Sequence, residues 1–194
     1  MGAELWLIRH GQTEWSLSGQ HTSRTDVALT DGGRQMAEWL REYLAGKEFS
    51  AVLCSPMQRA RETCAIAGFG DVAVIDEGLN EWDYGVYEGR TTQEIRAELP
   101  GWNVFRYSIV GGESLEQVGE RASGVIRRAV EAAGDGGRVA LFAHAHILRI
   151  LAAKWIGLPA AGGQSLVLST GSVSVLGFER ETRVIVQWNL GFGG

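Results

Sequence analysis

Four short apolar runs, Glu4–Ile8, Ala51–Cys54, Val72–Ile75 and Arg138–Ala143, are separated by longer stretches whose apolar residues recur every three to four positions. Few folds accept that alternation, because runs this short and apolar read as buried strands and the segments between them as amphipathic helices. It predicts an α/β chain, a three-layer α/β/α sandwich around a mainly parallel sheet, folded as one domain over residues 1–194. Three of the runs lead straight into polar residues: Arg9-His10, Ser55 followed by Arg59, and His144. Ligands of such sheets bind beyond the carboxyl ends of the strands, so separate segments point to one edge.

The helices carry their own start and stop signals. Thr30 to Leu44 places Met36, Leu40, Tyr43 and Leu44 on one face and stops before Gly46. Ser55-Pro56 reads as an N-cap with proline at the first helical position, opening a helix that runs to about Ala67 and setting Arg59 near its N-terminus. Thr91 with Glu94, and Ser114 with Gln117, match the capping box, and the second opens a long apolar stripe from Leu115 to Ala133. His146 to Ile156 is a further helix, and Ser172–Phe178 with Arg183–Trp188 reads as a closing hairpin. Residues 12–29 and 76–90 read as loops, and the tail 191–194 as frayed.

Charge and composition remove several classes. With 18 Lys and Arg against 23 Asp and Glu, a net charge of −5, the chain lacks the basic excess of a nucleic-acid surface. A small anion is still admitted, since a few arginines in a cleft outweigh a mildly negative exterior. No apolar run approaches the ~20 residues of a membrane span, and the N-terminus carries no signal-peptide pattern, so the cytoplasm is the expected location. Cys54 and Cys64 are expected to be reduced core thiols. The 27 glycines follow no period and mark turns and helix ends. An exposed strand edge offers a surface for oligomer formation, and nothing in the pattern demands one.

If the strand-end residues meet, two histidines and two arginines make a poor metal site, because a guanidinium is always cationic. They make a good oxyanion site: Arg9 and Arg59 supply planar forks matched to phosphate oxygens, and the helix after Ser55 adds backbone N–H groups. A neutral imidazole among such cations is a competent nucleophile toward phosphorus, so one of His10 and His144 can attack while the other stabilises charge. The leaving oxygen needs a proton. Glu81 and Asp83, beside Trp82 and Tyr84, both qualify, partial burial raising a carboxyl toward the working range of a general acid.

Leu7-Ile-Arg-His-Gly-Gln-Thr-Glu-Trp15 resembles the Arg-His-Gly signature of the histidine phosphatase superfamily, which includes cofactor-dependent phosphoglycerate mutases and acid phosphatases. The resemblance runs through Thr25–Thr30, Cys54–Thr63, Leu79–Glu81, Tyr87–Gly89, Gly112–Ser114 and Ala143-His144. It implies a phosphoglycerate mutase-like fold, His10 as the phosphorylated histidine, Arg9, Arg59 and His144 as the rest of the phosphate pocket, and Glu81 as the proton donor. It implies no metal and no cofactor, and a small phosphorylated metabolite as the partner.

Trp15–Thr22, Glu81–Gly89 and Phe142–Arg149 are similar to the branch containing sedoheptulose-1,7-bisphosphatase and certain actinobacterial acid phosphatases. That similarity implies substrate contacts at Ser16, His21, Thr22, Tyr84 and Arg149. His146 is expected only to cap or pack at the start of its helix. Mutases commonly carry Asn where this chain has Ser16, and a longer insertion where only residues 90–111 stand here. A more open pocket gives water access to the phosphoryl group, so the expected reaction is phosphomonoester hydrolysis. Phosphoglycerate mutase is the rival enzyme reading, and an inactive phosphate- or protein-binding module is the rival from another class.

Overall fold

The computed structural model describes residues 2–191. In chain order the elements are β1 (Glu4–Arg9), α1 (Glu14–Ser18), α2 (Asp31–Leu44), β2 (Ala51–Cys54), α3 (Gln58–Ile66), β3 (Ala73–Ile75), α4 (Thr92–Glu98), α5 (Leu115–Ala133), β4 (Arg138–Ala143), α6 (Ala145–Trp155), β5 (Val173–Glu179) and β6 (Thr182–Leu190). The six strands form one sheet in the order β3-β2-β4-β1-β5-β6. β3, β2, β4 and β1 are mutually parallel, and β5 and β6 complete the sheet as the expected antiparallel hairpin.

Alternation along β1 shows why the sandwich has three layers. Leu5 and Leu7 pack on one face against Val118, Val125, Ile147 and Leu151 of α5 and α6. Trp6 and Ile8 pack on the other against Leu40 and Leu44 of α2 and Ala60 and Cys64 of α3. Cys54 and Cys64 are buried free thiols in that second layer.

Register sets the functional edge. Because Arg9 pairs with Ala143, and Cys54 with Phe142, the residues that follow, His10, His144 and Ser55, leave three neighbouring strands at one level.

Several boundaries differ from the sequence reading by one or two residues, and three differences have a local cause. α3 begins at Gln58, with Met57 in the cap position, because the Ser55 hydroxyl bonds His144 Nε2 at 2.8 Å. β3 omits Val72, whose N–H turns back to Phe69 O. Residues 14–18, read as loop, form α1, closed by a capping box between Thr13 and Ser16. Of the tail 191–194 expected to fray, residues 192–194 lie outside the described part of the chain. Among the described residues no helix is long and apolar enough to cross a membrane.

Candidate active site

His10 follows β1 and is buried. Its Nδ1 lies 2.7 Å from Gly11 O, and since a carbonyl only accepts, Nδ1 carries the proton and Nε2 keeps a free lone pair. Burial, reinforced by the charges of Arg9 and Arg59, holds its pKa well below the ordinary histidine value of 6.5, so the imidazole is neutral at physiological pH. The His144 ring, from the end of β4, lies 5.1 Å away between centroids, inclined at 61°.

His144 has the opposite tautomer. Arg59 Nε donates to its Nδ1 at 3.1 Å, and because a guanidinium cannot accept, the His144 proton sits on Nε2 and is donated to Ser55 Oγ. Burial and the Arg59 charge keep this ring neutral as well. The two histidines therefore present different nitrogens, one basic and one protic, through hydrogen bonds supplied by their neighbours.

The two arginines are held differently. Burial pushes the Arg9 pKa down to about 10, against an opposing pull from Glu81, which leaves it cationic. Arg9 Nη1 donates to Leu168 O at 2.6 Å, while its Nε is buried with no hydrogen-bond partner. Arg59 is fully buried and donates to Thr25 O, Thr22 O and Ser23 O as well as to His144. The sequence reading gave Arg59 a fork open toward phosphate; in the structure most of that fork is spent on the 22–25 turn, leaving chiefly its charge. Glu88 fixes the same turn by accepting N–H bonds from Ser23 and Thr25. The N–H groups expected from α3 are also taken: Gln58 N donates to Asp26 Oδ1 at 2.7 Å, and the N–H groups of Ala60 and Arg61 go to Met57 O.

Glu81 is buried. Its Oε1 accepts the N–H groups of Trp82 and Ile147, at 3.0 and 2.9 Å, and Oε2 accepts that of His146 at 3.0 Å. Glu81 thus caps the N-terminus of α6 from a distant loop. Asp83, the other candidate, is turned away: it pairs with Arg24 and accepts the N–H of Gly85.

A cavity of about 170 Å³ opens beside these groups; Arg59 and His144, expected in the phosphate pocket, stand behind its wall and do not line it. Arg9, His10 and Glu81 line it, with Ser16, His21, Thr22 and Tyr84 from the expected substrate contacts. The Ser16 hydroxyl is engaged in the α1 cap and the Thr22 hydroxyl donates to Gln20 O, so each has a local tether as well as a place on the wall. Burial lowers the His21 pKa to about 4. Arg149 does not line this cavity: it donates to Gly163 O and Gln164 O and lies over the Phe105 ring. A larger cavity, about 650 Å³, between Leu115, Gly119, Lys154 and Pro159 contains no histidine.

His146 is the residue the sequence reading undervalued. It lines the cavity, and its Nδ1 lies 2.6 Å from the Tyr84 hydroxyl, whose own pKa burial pushes well above 10. The only sequence signal was its position two residues after His144. Among the described residues no group of three or more His, Cys, Asp or Glu side chains is placed to hold a metal.

The pattern described as "Histidine phosphatase superfamily (branch 1)" matches residues 5–191. An acid phosphatase of Mycobacterium tuberculosis is 40% identical over 182 residues, covering 92% of this chain and 88% of its own. Sedoheptulose 1,7-bisphosphatase of Saccharomyces cerevisiae is 35% identical over 184 residues, covering 78% of this chain and 67% of its own. The solved structure of an open reading frame from M. tuberculosis superposes with a TM-score of 0.93 at 37% identity, covering 98% of this chain and 99% of that one.

Proposed function

This chain belongs to branch 1 of the histidine phosphatase superfamily, and from that membership we propose that it is a metal-independent phosphomonoesterase that works through a phosphohistidine at His10. The observation that carries the reading is the bond from His10 Nδ1–H to Gly11 O, which leaves Nε2 as a neutral nucleophile in a cavity shared with Arg9 and Glu81.

In the first step His10 Nε2 attacks phosphorus, and the bond from phosphorus to the leaving oxygen breaks. Glu81 gives that oxygen its proton, so the product leaves as an alcohol. Arg9 donates to the phosphoryl oxygens, Arg59 contributes charge, and His144 contributes a polar neighbour whose tautomer is fixed by Arg59. In the second step Glu81, now a carboxylate, takes a proton from water as the water oxygen attacks phosphorus. The bond from phosphorus to His10 Nε2 breaks, and inorganic phosphate and neutral His10 are restored.

Small phosphorylated sugars are the substrate class that best suits this site. The relatives include a phosphatase named for sedoheptulose 1,7-bisphosphate, and a cavity of about 170 Å³ is small beside the ~300–1,000 Å³ of typical organic-ligand pockets. Ser16, His21, Thr22 and Tyr84 would surround the part of the substrate beyond the phosphate. Arg149, held over Phe105, is close enough to act electrostatically on Arg9 and His146. The short 90–111 interval favours transfer to water over mutase chemistry.

Rapid quenching with ³²P-labelled substrate tests the reading: the chain should carry an acid-labile, base-stable label, and His10→Asn should carry none. Undiminished turnover in His10→Asn would refute it. Release of free phosphate faster than isomerisation of 3-phosphoglycerate separates the phosphatase from a mutase, and no release from any sugar phosphate would point to a binding module.

A further inference from the structure

We propose that Arg121, on α5, is a positioning residue for the general acid, acting as a staple behind the loop that carries Glu81; this rests on Glu81 being that acid. Arg121 Nη1 donates to Gly78 O and Asn80 O, at 2.9 and 2.6 Å, and Nη2 donates to Glu81 O at 3.3 Å. The other edge of the same guanidinium forms a bidentate pair with Glu113, Nε to Oε1 at 2.9 Å and Nη2 to Oε2 at 2.7 Å.

Glu113 extends the staple along the loop. Its Oε2 accepts the N–H of Asp83, its carbonyl accepts Trp82 Nε1, and its N–H donates to Asp83 O. Residues 78, 80, 81, 82 and 83 are therefore all bonded to one ion pair, and Leu79 between them is fully buried. The Arg121 and Glu113 side chains are only 19% and 25% exposed, so the pair is shielded more than a surface ion pair.

The chemistry explains why such a clamp matters. The Glu81 carboxylate is already oriented in front by the N–H groups of His146 and Ile147. Those bonds fix its angle only if the loop backbone behind it is fixed too, and Arg121 is what holds that backbone against α5. A misplacement of about 1 Å in a proton donor costs on the order of 100-fold in rate. A lysine cannot substitute, because a single ammonium lacks the five-donor fork that spans three carbonyls and a carboxylate.

A clamp on a proton donor and a merely stabilising ion pair differ in their dependence on the leaving group. kcat/KM contains the step in which the leaving oxygen is protonated, and that proton matters far more to an alkoxide than to nitrophenolate. For Arg121→Gln we expect kcat/KM to fall on the order of 100-fold with β-glycerophosphate but no more than about threefold with 4-nitrophenyl phosphate. Glu81→Gln should show the same slope more steeply, and Arg121→Lys should not restore the wild-type ratio. Equal losses on both substrates in Arg121→Gln, with a steep slope retained in Glu81→Gln, would overturn the inference alone. A flat Glu81→Gln would overturn the acid assignment and the inference with it. If Arg121→Gln does not fold, Arg121→Lys, which keeps a cation but cannot span the three carbonyls and the carboxylate, reads the same ratio and decides on the same outcomes.

Discussion

Glu81 and Ile147 are joined by a hydrogen bond of 2.9 Å across 66 residues of sequence, so the proposed acid is also the cap of α6. One carboxylate thus links chemistry to stability. Replacing a side-chain cap by alanine costs about 1 kcal/mol, which at this chain length lowers Tm by roughly 2–4 °C. Glu81→Ala should show that shift in calorimetry together with a loss of turnover on the order of 10²-fold or more. A variant with wild-type Tm would show that the α6 N–H groups find another acceptor.

The depressed pKa of His10 sets the acid side of the activity profile. His10, as the proposed nucleophile, would attack only when neutral, and burial with Arg9 and Arg59 holds its pKa well below 6.5. As pH falls, kcat/KM should therefore hold past 6.5 and decline only at lower pH. Removing the Arg9 charge makes protonation easier, so Arg9→Gln should move the acid limb upward while lowering the plateau. Comparing both proteins on one substrate cancels the substrate's own ionisation, and an unmoved limb would contradict the electrostatic coupling.

His21 should leave a mark on stability. Its folded pKa is about 4, against 6.5 for the ordinary side chain, so between those values the unfolded chain takes up a proton that the folded chain refuses. The contribution is present in full above pH 6.5 and is lost as pH falls toward 4, amounting to at most about 3.5 kcal/mol at ~1.4 kcal/mol per unit. Thermal unfolding followed from pH 7 to 4 should decline less steeply in His21→Gln than in the parent. Parallel curves would rule out a buried neutral His21.

Gly11 is tightly enclosed. A β-carbon there would stand 2.3 Å from the backbone oxygen of Gly33, which cannot move without shifting the start of α2. Gly11→Ala should destabilise by roughly 1–3 kcal/mol, the usual range for overpacking. It should also reduce turnover, because the Gly11 carbonyl fixes the His10 tautomer. Urea unfolding and steady-state kinetics check the two effects separately.

Most of the framework was legible because periodicity and capping chemistry are local. The boxes at Thr91 and Ser114, the stripe along α5 and the apolar runs of the inner strands all appear as read. α1 escaped because none of its five residues is buried, so it has no apolar stripe to detect. Within the site, the strand-end positions of His10 and His144 could be inferred from pattern, but their partners could not. Ser55 looked like a helix cap and instead receives the His144 proton, while Asp26 caps α3 and Glu81 caps α6 from loops far away in sequence. Those choices depend on which loops meet in three dimensions. The same holds for the Tyr84 to His146 bond and for the turn of backbone carbonyls that occupies Arg59.

The insertion of β4 between β1 and β2 has a consequence for synthesis. His10, Ser55 and Arg59 leave the ribosome early, but the strand that sets their spacing begins only at Arg138. Until then β1 and β2 have no common neighbour, and the basic groups around the future cavity have neither His144 nor the start of α6 to organise them. A nascent chain halted before residue 138 would expose two unsatisfied parallel edges, the kind of surface that chaperones shield. The spacing of the proposed site is set by a strand that begins only at Arg138, although His10, Ser55 and Arg59 all precede it by more than 75 residues.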